Sequence, residues 1–220
     1  MALSKTLGNV SVLAHSAIRI QSEDGTVIYF DPFELVDEPH DADCVFITHT
    51  HYDHLSPEDA AKVMNSRTVV VCPESALAET EQALDAAEYR TMAPGSSMEL
   101  GAIAVEAVPA YNVEPERLGF HPKENGWVGY VVAVDGVRYY VSGDTDQNPD
   151  NETVKCDVAL IPIGGTFTMD PAQAAQFANT LKPQIVVPTH YGSAVGKKED
   201  VDAFEPLVDP AITVVRKLSW

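Results

Sequence analysis

The sequence has few basic residues. It contains 14 Lys and Arg against 33 Asp and Glu, which gives a formal net charge of −19 at pH 7. A protein that binds the phosphate backbone of nucleic acid needs clustered Lys and Arg, and an acidic surface is repelled by anionic membranes. We therefore expect neither nucleic acid nor a membrane among the partners.

Cysteine and long apolar runs are scarce as well. The three cysteines, Cys44, Cys72 and Cys156, have no CxxC spacing and lie in or beside apolar runs. We interpret them as buried, reduced thiols that bind no metal. The longest apolar runs, such as Val69 to Cys72, are too short to cross a bilayer, and no charged segment followed by an apolar stretch opens the chain. These absences predict a cytoplasmic protein.

Short runs rich in Val, Ile and Tyr recur along the whole length and predict strands. They are Val10 to Leu13, Val27 to Phe30, Cys44 to Thr48, Thr68 to Cys72, Ile103 to Val108, Val128 to Val134, Val137 to Val141, Val158 to Ile161, Ile185 to Val187 and Ile212 to Val215. The pair Asp135-Gly136 predicts a tight hairpin turn. No linker or repeat separates these runs, so the 220 residues indicate one domain over residues 1–220.

Helix signals lie between some of these strands. Ser56-Pro57 and Asp170-Pro171 each place a capping side chain before a proline at the first helical position. The Ala-rich stretch from Glu74 to Glu88 also has a high helix propensity. Strands mixed with a hairpin and surface helices predict a layered α/β protein.

The segment Thr48-His49-Thr50-His51-Tyr52-Asp53-His54 carries the strongest chemical signal, because it follows an apolar strand and precedes a helix cap. Residues two apart at a strand end project to the same side, so His49 and His51 can converge on one cation. Asp53 and His54 lie where the chain turns and can face a second cation. Imidazoles and a carboxylate suit zinc, and also iron, manganese or nickel. His190 lies at another strand end, where α/β sheets present ligand sites.

This HxHxDH pattern after a strand resembles that of the metallo-β-lactamase superfamily, and the resemblance continues in order along almost the whole chain. It implies an αββα four-layer sandwich, classed as α/β or α+β. It also implies that Asp31 orients a ligand histidine, that Asp144 bridges two metals, and that His190 is the last ligand. Asp144 is favoured over Asp146 because Gly143-Asp144-Thr145 matches the family's GDT motif.

One motif departs from the family pattern. Asn112 stands where relatives carry a ligand histidine after the strand from Ile103 to Val108, and an amide oxygen binds borderline metals poorly. His121, nine residues further on, either folds back as a replacement ligand or contacts the substrate. The remaining alternative is a weakened or empty metal position at His49 and His51.

Three further features resemble the branch of the superfamily related to L-ascorbate-6-phosphate lactonases. They are His15 on the first predicted strand, Tyr111-Asn112, and the segment that begins Gly164-Gly165. His15 is interpreted either as an active-site residue or as a strand histidine whose hydrogen bonds are satisfied. The two glycines either let the backbone approach a ligand or form a plain turn.

The resemblance implies a metal-dependent hydrolase that acts on an ester, lactone or related small-molecule substrate. The catalytic candidates are Asp53, His15 and His121, and one or two divalent metal ions, zinc foremost, are expected on His49, His51, Asp53, His54, Asp144 and His190. No GxSxG motif offers a serine route. A glyoxalase-like thioesterase, a phosphodiesterase of the same fold and a non-catalytic metal-binding or sensing module remain open, and a homo-oligomer is compatible with the sequence.

Overall fold

The computed structural model describes residues 7–218. Its strands are β1 (Val10–Ala14), β2 (Ala17–Gln21), β3 (Val27–Phe30), β4 (Cys44–Phe46), β5 (Val69–Pro73), β6 (Glu88–Met92), β7 (Ser97–Leu100), β8 (Ile103–Pro109), β9 (Val128–Val134), β10 (Val137–Val141), β11 (Val158–Pro162), β12 (Ile185–Thr189) and β13 (Thr213–Val214). Its α-helices are α1 (Pro57–Val63), α2 (Leu77–Ala83), α3 (Pro171–Leu181) and α4 (Asp200–Phe204). Short 3₁₀ turns cover Glu74–Ala76, Lys123–Asn125 and Glu205–Leu207. No helix within residues 7–218 is long and apolar enough to cross a membrane.

The strands form two mixed sheets. The first has the order β1-β2-β3-β4-β5-β6, and the second has the order β13-β12-β11-β10-β9-β8-β7. Strands β3 to β6 run parallel to one another, and so do β10 to β13. The remaining neighbours pair antiparallel. Parallel strands end at a common edge of their sheet, so the loops after β4, β10 and β12 can carry site residues toward one another.

The core lies between the sheets and under the helices. In β3, Ile28 and Phe30 join the large cluster that includes residues of both sheets, whereas Val27 and Tyr29 belong to a second cluster that contains residues of α1. This alternation follows from the two-residue period of a strand, which buries one side chain on each face in turn. The layered α/β architecture predicted from the sequence is confirmed.

Most of the predicted strands are present within a few residues of the expected bounds, and β3, β9 and β10 match them. The hairpin turn is also present, with φ of 52° at Asp135 and 77° at Gly136. Strands β2, β6 and β7 were not predicted. In β6 and β7 no residue except Met92 is buried, so these sheet-edge strands lack the apolar run on which the prediction rests.

The helices begin as predicted but one is shorter. Ser56 and Asp170 each accept a hydrogen bond from the backbone N–H three residues on, at the starts of α1 and α3. A helix was predicted from Glu74 to Glu88, but only a 3₁₀ turn followed by α2 forms there. Glu88 is already the first residue of β6. Pairing of β6 with β5 overrides the local helix propensity. Cys44 and Cys72 are buried as expected, whereas Cys156 is only half-buried.

Candidate metal centre

The loop after β4 brings two imidazoles together. His49 Nε2 lies 3.0 Å from His51 Nδ1, as the spacing of two residues predicts. Asp53 and His54 follow in a turn closed by backbone hydrogen bonds to the His51 carbonyl from His54 (3.0 Å) and Leu55 (2.8 Å). The turn places Asp53 with His15 and His190, whereas the His54 ring lies beside that of His49, with 4.0 Å between their centroids.

Asp31 and Thr48 hold this loop from behind. Asp31 follows β3 and is buried, and its carboxylate accepts hydrogen bonds from Thr48 N at 2.8 Å and Thr48 Oγ1 at 2.6 Å. It also lies 2.7 Å from His54 Nδ1. A carboxylate accepts here, so His54 carries its proton on Nδ1 and leaves Nε2 free. The structure thus places Asp31 against a histidine of the cluster, as the resemblance implied.

The Thr48 hydroxyl fixes the tautomer of His49 in the same way. Its one proton goes to Asp31, so Thr48 Oγ1 must accept a hydrogen bond from His49 Nδ1, which lies 3.0 Å away. His49 is therefore the tautomer with a free Nε2. The sequence offered no signal for this role, because a threonine before a histidine is common.

Asp144 lies between the two halves of the cluster. It follows β10 through Gly143, whose φ is 63°. Its Oδ1 lies 3.3 Å from His54 Nε2, and its Oδ2 lies 3.3 Å from His121 Nε2 and 3.1 Å from His190 Nε2. The preference for Asp144 over Asp146 agrees with this placement. Asp146 instead forms an ion pair with Arg117 at 2.8 Å and accepts backbone hydrogen bonds from Val113 and Glu114 in the loop after β8.

His190 and His15 lie beside Asp53 and His54. His190 follows β12, and its backbone N–H donates to the His15 carbonyl at 2.9 Å. His15 Nε2 lies 3.2 Å from Asp53 Oδ2, and the rings of His15 and His190 are 3.8 Å apart between centroids. The first strand ends at Ala14, so the prediction of His15 on that strand was wrong. It lies in the turn to β2, with φ of 46°, and is fully buried.

His121 also reaches the cluster, although it is distant from the other histidines in sequence. Its ring centroid lies 5.1 Å from that of His49 and 4.9 Å from that of His51. Asn112 is buried beside it, and Asn112 Oδ1 lies 2.8 Å from His121 Nδ1. The sequence left open whether His121 folds back toward His49 and His51. The structure places the three rings together.

The side chains form three overlapping groups of potential ligand atoms, with the atoms of each group within 4.8 Å of one another. The groups are His49, His51 and His121; His15, Asp53, His54 and His190; and His49, His54 and Asp144. The last group shares His49 with the first and His54 with the second. All six residues expected to bind metal are therefore brought together, and Asp144 lies where one carboxylate could contact two cations.

Several of these atoms are buried without a hydrogen-bond partner: His54 Nε2, His121 Nε2, both ring nitrogens of His190, and Asp144 Oδ1. An unsatisfied buried polar group costs about 1–3 kcal/mol. So many in one place, on nitrogen and carboxylate ligands, fit a site built for a divalent cation, which would satisfy them.

The pKa shifts of the site residues also fit a site for a cation. Burial lowers the pKa of His49 and His51 below the usual 6.5, which keeps both imidazoles neutral and able to bind metal. Burial opposes a charge on His54 and His190, but the Asp144 carboxylate together with Asp31 beside His54 and Asp53 beside His190 outweighs it and raises both pKa values. The Asp144 pKa is lowered well below 3.8, against its burial, mainly by His190 and His54. The region around Asp144 thus favours positive charge.

Solvent reaches the cluster from one side. The side chain of Asp53 is 12% exposed, His51 is half-buried, and Tyr52 between them is 71% exposed. The Trp127 ring lies 4.9 Å from both His49 and His51. Trp127 precedes β9 with no ligand pattern around it, so the sequence does not predict its place beside the two histidines.

Gly164 has a structural role that the sequence left open. A Cβ at this position would lie 2.2 Å from the backbone oxygen of His190, so glycine lets the two loops touch. The close approach is therefore to the His190 backbone, and Gly165, with φ of 68°, forms a turn beside it.

Comparison with known proteins places the chain among metal-dependent hydrolases. The family model described as a beta-lactamase superfamily domain matches residues 9–190. The chain is 34% identical over 218 residues to a UPF0173 metal-dependent hydrolase of Thermococcus kodakarensis, which covers 94% of each chain. It is 31% identical over 220 residues, or 92% of each chain, to a metal-dependent hydrolase of Methanosphaera stadtmanae.

Solved structures show the same fold. A metal-dependent hydrolase from Parabacteroides distasonis matches with a TM-score of 0.81 and 30% identity, covering 94% of this chain and 91% of that one. The metallo hydrolase Igni18 from Ignicoccus hospitalis matches with a TM-score of 0.73 and 22% identity, covering 93% and 92%. Because the family model spans most of the chain and the relatives match nearly end to end, the chain belongs to the metallo-β-lactamase superfamily of metal-dependent hydrolases.

Proposed function

We propose that this protein hydrolyses an ester, lactone or related small-molecule substrate with a metal-activated water. The observation that carries the proposal is the set of buried, unpartnered ligand atoms that converge from two directions on Asp144. The residues proposed to hold metal are His49, His51, Asp53, His54, Asp144 and His190.

Zinc is the first expectation for the ion, since imidazole and carboxylate ligands suit it, although manganese, iron and nickel accept the same ligands. A divalent metal bound there would supply Lewis acidity, which polarises a carbonyl or phosphoryl oxygen and lowers the pKa of water from 15.7 to about 7.

Asp53 is proposed to orient the attacking water and to take up its proton. It is the carboxylate on the solvent side of the cluster, and one of its oxygens is held by His15 at 3.2 Å. Its pKa lies far below 3.8, because contacts with His15, His190 and His54 outweigh the effect of burial. The carboxylate is thus ionised at neutral pH, so it can accept a hydrogen bond from the attacking water, the contact through which a proton would pass to it.

His15 is proposed to position Asp53 rather than to touch the substrate, because it is fully buried behind that carboxylate. Burial lowers its pKa to about 4, so the ring is neutral. Ser193 Oγ lies 3.3 Å from His15 Nδ1 on the other side of the ring. A neutral ring held between Ser193 and Asp53 keeps the carboxylate in one orientation.

The substrate is proposed to be a small molecule. The net charge of −19 makes a polyanion a poor ligand, and the two cations on the loop near His121 are already paired, Arg117 with Asp146 at 2.8 Å and Lys123 with Asp150 at 2.7 Å. These pairings favour an ester or lactone over a phosphodiester.

The test is metal analysis of protein purified without nickel resin, followed by a panel of esters, lactones, thioesters and phosphodiesters with each metal restored. We expect metal-dependent turnover of esters or lactones that Asp144→Ala abolishes. Preference for thioesters or phosphodiesters would select a different substrate class. Stoichiometric metal binding without turnover of any panel member would instead support a metal-binding or sensing module.

A further inference from the structure

We propose that Asn112 is a positioning residue for His121, and that His121 supplies the third imidazole of the position formed with His49 and His51. The proposal rests on the metal-binding function proposed above, and it explains why the chain departs from the family pattern at residue 112.

Both polar atoms of the Asn112 side chain are already engaged. Its Nδ2 donates to the Phe167 carbonyl at 3.1 Å, which fixes the orientation of the amide. Its Oδ1 accepts from the His121 backbone N–H at 3.1 Å and lies 2.8 Å from His121 Nδ1. Because it is 3% exposed and fully used, Asn112 serves as a partner of the loop and has no free atom to offer to a metal.

The amide oxygen selects the tautomer of His121. An amide oxygen only accepts hydrogen bonds, so His121 Nδ1 must carry the proton and Nε2 must present its lone pair. His121 Nε2 is buried without a hydrogen-bond partner and lies 3.3 Å from Asp144 Oδ2. Its ligand atom is within 4.8 Å of those of His49 and His51. Asn112 thus acts on His121 as Thr48 acts on His49.

The backbone makes this arrangement rigid. The Asn112 backbone N–H donates to the His121 carbonyl at 2.9 Å, so residues 112 and 121 close the base of the loop. Within the loop, Asp146 accepts from Val113 N at 2.9 Å and from Arg117 at 2.8 Å. The imidazole is therefore held in place before any ligand binds, which lowers the entropy cost of completing the site.

The test compares metal binding by the wild-type protein and four variants, with a competing chelator used to measure the affinity of each bound zinc. Wild type should bind two ions per chain. His121→Ala should lose one and keep the other. Asn112→Ala should weaken one ion about 10–100-fold, the usual cost of removing a group that orients a ligand. Asn112→Asp, which keeps an acceptor for His121 Nδ1, should restore most of that affinity.

Asn65→Ala is the matched control. Asn65 also donates from its side-chain amide to backbone carbonyls, those of His40 and Ala42, both at 3.1 Å, but it lies outside the cluster. It should leave both ions in place. Retention of two ions with unchanged affinity in both Asn112→Ala and His121→Ala would overturn the inference. A wild-type protein that binds no metal would instead refute the proposed function itself.

A second measurement does not depend on a variant that folds. Nitrogen-15 NMR of the histidine rings should show that the His121 Nδ1 is protonated in the metal-free protein and that its Nε2 resonance shifts when zinc is added. A zinc-dependent shift at Nδ1, or no shift at either nitrogen while other histidines respond, would overturn the assignment.

Discussion

The hydroxyl of Thr48 offers a sharp test of how the metal centre is built, because it lies outside the proposed ligand set and yet contacts both a proposed ligand, His49, and the carboxylate that orients another, Asp31. It donates to Asp31 Oδ2 at 2.6 Å and accepts from His49 Nδ1 at 3.0 Å. Thr48→Val replaces the hydroxyl by a methyl group of similar size, so the change is one of hydrogen bonding rather than volume.

The contacts of Thr48 predict two effects of this change, a loss of folding free energy and a loss of zinc affinity. Thr48 is 1% exposed, and its loss leaves His49 Nδ1 without an acceptor in a buried place, which should cost about 1–3 kcal/mol of folding free energy. Asp31 keeps its contacts with Thr48 N and His54 Nδ1, so the loop should still fold. With its tautomer no longer fixed, His49 should hold zinc about 10–100-fold more weakly, or about 1.4–2.7 kcal/mol.

Thr68→Val is the matched control. Thr68 is also fully buried, donates to the Ala42 carbonyl at 2.7 Å and accepts from Asn65 N at 2.9 Å. It precedes β5, at the opposite end of the parallel strands from the centre. Its loss should lower the free energy of unfolding by a similar amount, about 1–3 kcal/mol, without changing zinc affinity.

The assay has two parts: urea unfolding of the metal-free proteins, and zinc titration against a competing chelator. We expect both variants to be destabilised and only Thr48→Val to bind zinc more weakly. If the two variants lose zinc affinity alike, or if neither does, the Thr48 hydroxyl does not orient His49 for metal binding.

Three further predictions follow from other contacts. Asp144→Ala and His190→Ala should each release metal although both lie far from the histidine-rich loop in sequence, since the two side chains meet at 3.1 Å; elemental analysis showing full occupancy in both would contradict the ligand assignment. Asp53→Asn should reduce kcat about 10²–10⁴-fold with little change in KM, whereas unchanged turnover at full metal occupancy would refute its role as a base. Asp59 accepts from Leu35 N at 3.0 Å and pairs with Lys62 at 2.9 Å, and although burial opposes its charge, these contacts lower its pKa. A lowered folded-state pKa means that its stabilisation is present above the unfolded pKa of about 3.9 and is lost as the pH falls through the lower folded value. The difference in urea stability between wild type and Asp59→Asn should therefore narrow below about pH 4, and a constant difference from pH 7 to pH 3 would show that the carboxylate's charge is not responsible.

Local periodicity and spacing in the sequence are enough to determine several parts of this protein. Strand β3 alternates between two cores because its apolar residues are continuous, and Asp135-Gly136 turns a hairpin because both residues tolerate positive φ. His49 and His51 meet because they are two residues apart after a strand. Local geometry is enough for each of these features.

Long-range packing decided the rest. Strand β6 begins at Glu88, the last residue of the stretch with helix propensity, because pairing with β5 outweighs a weak local preference there. His15 reaches Asp53 across 38 residues through a turn with positive φ. The sequence marks His121 as a candidate ligand but cannot locate it in the fold, because no local pattern connects it to the histidines after β4. Only the folded chain sets the carbonyl of Phe167 against Asn112 and thereby aims the His121 imidazole at His49 and His51.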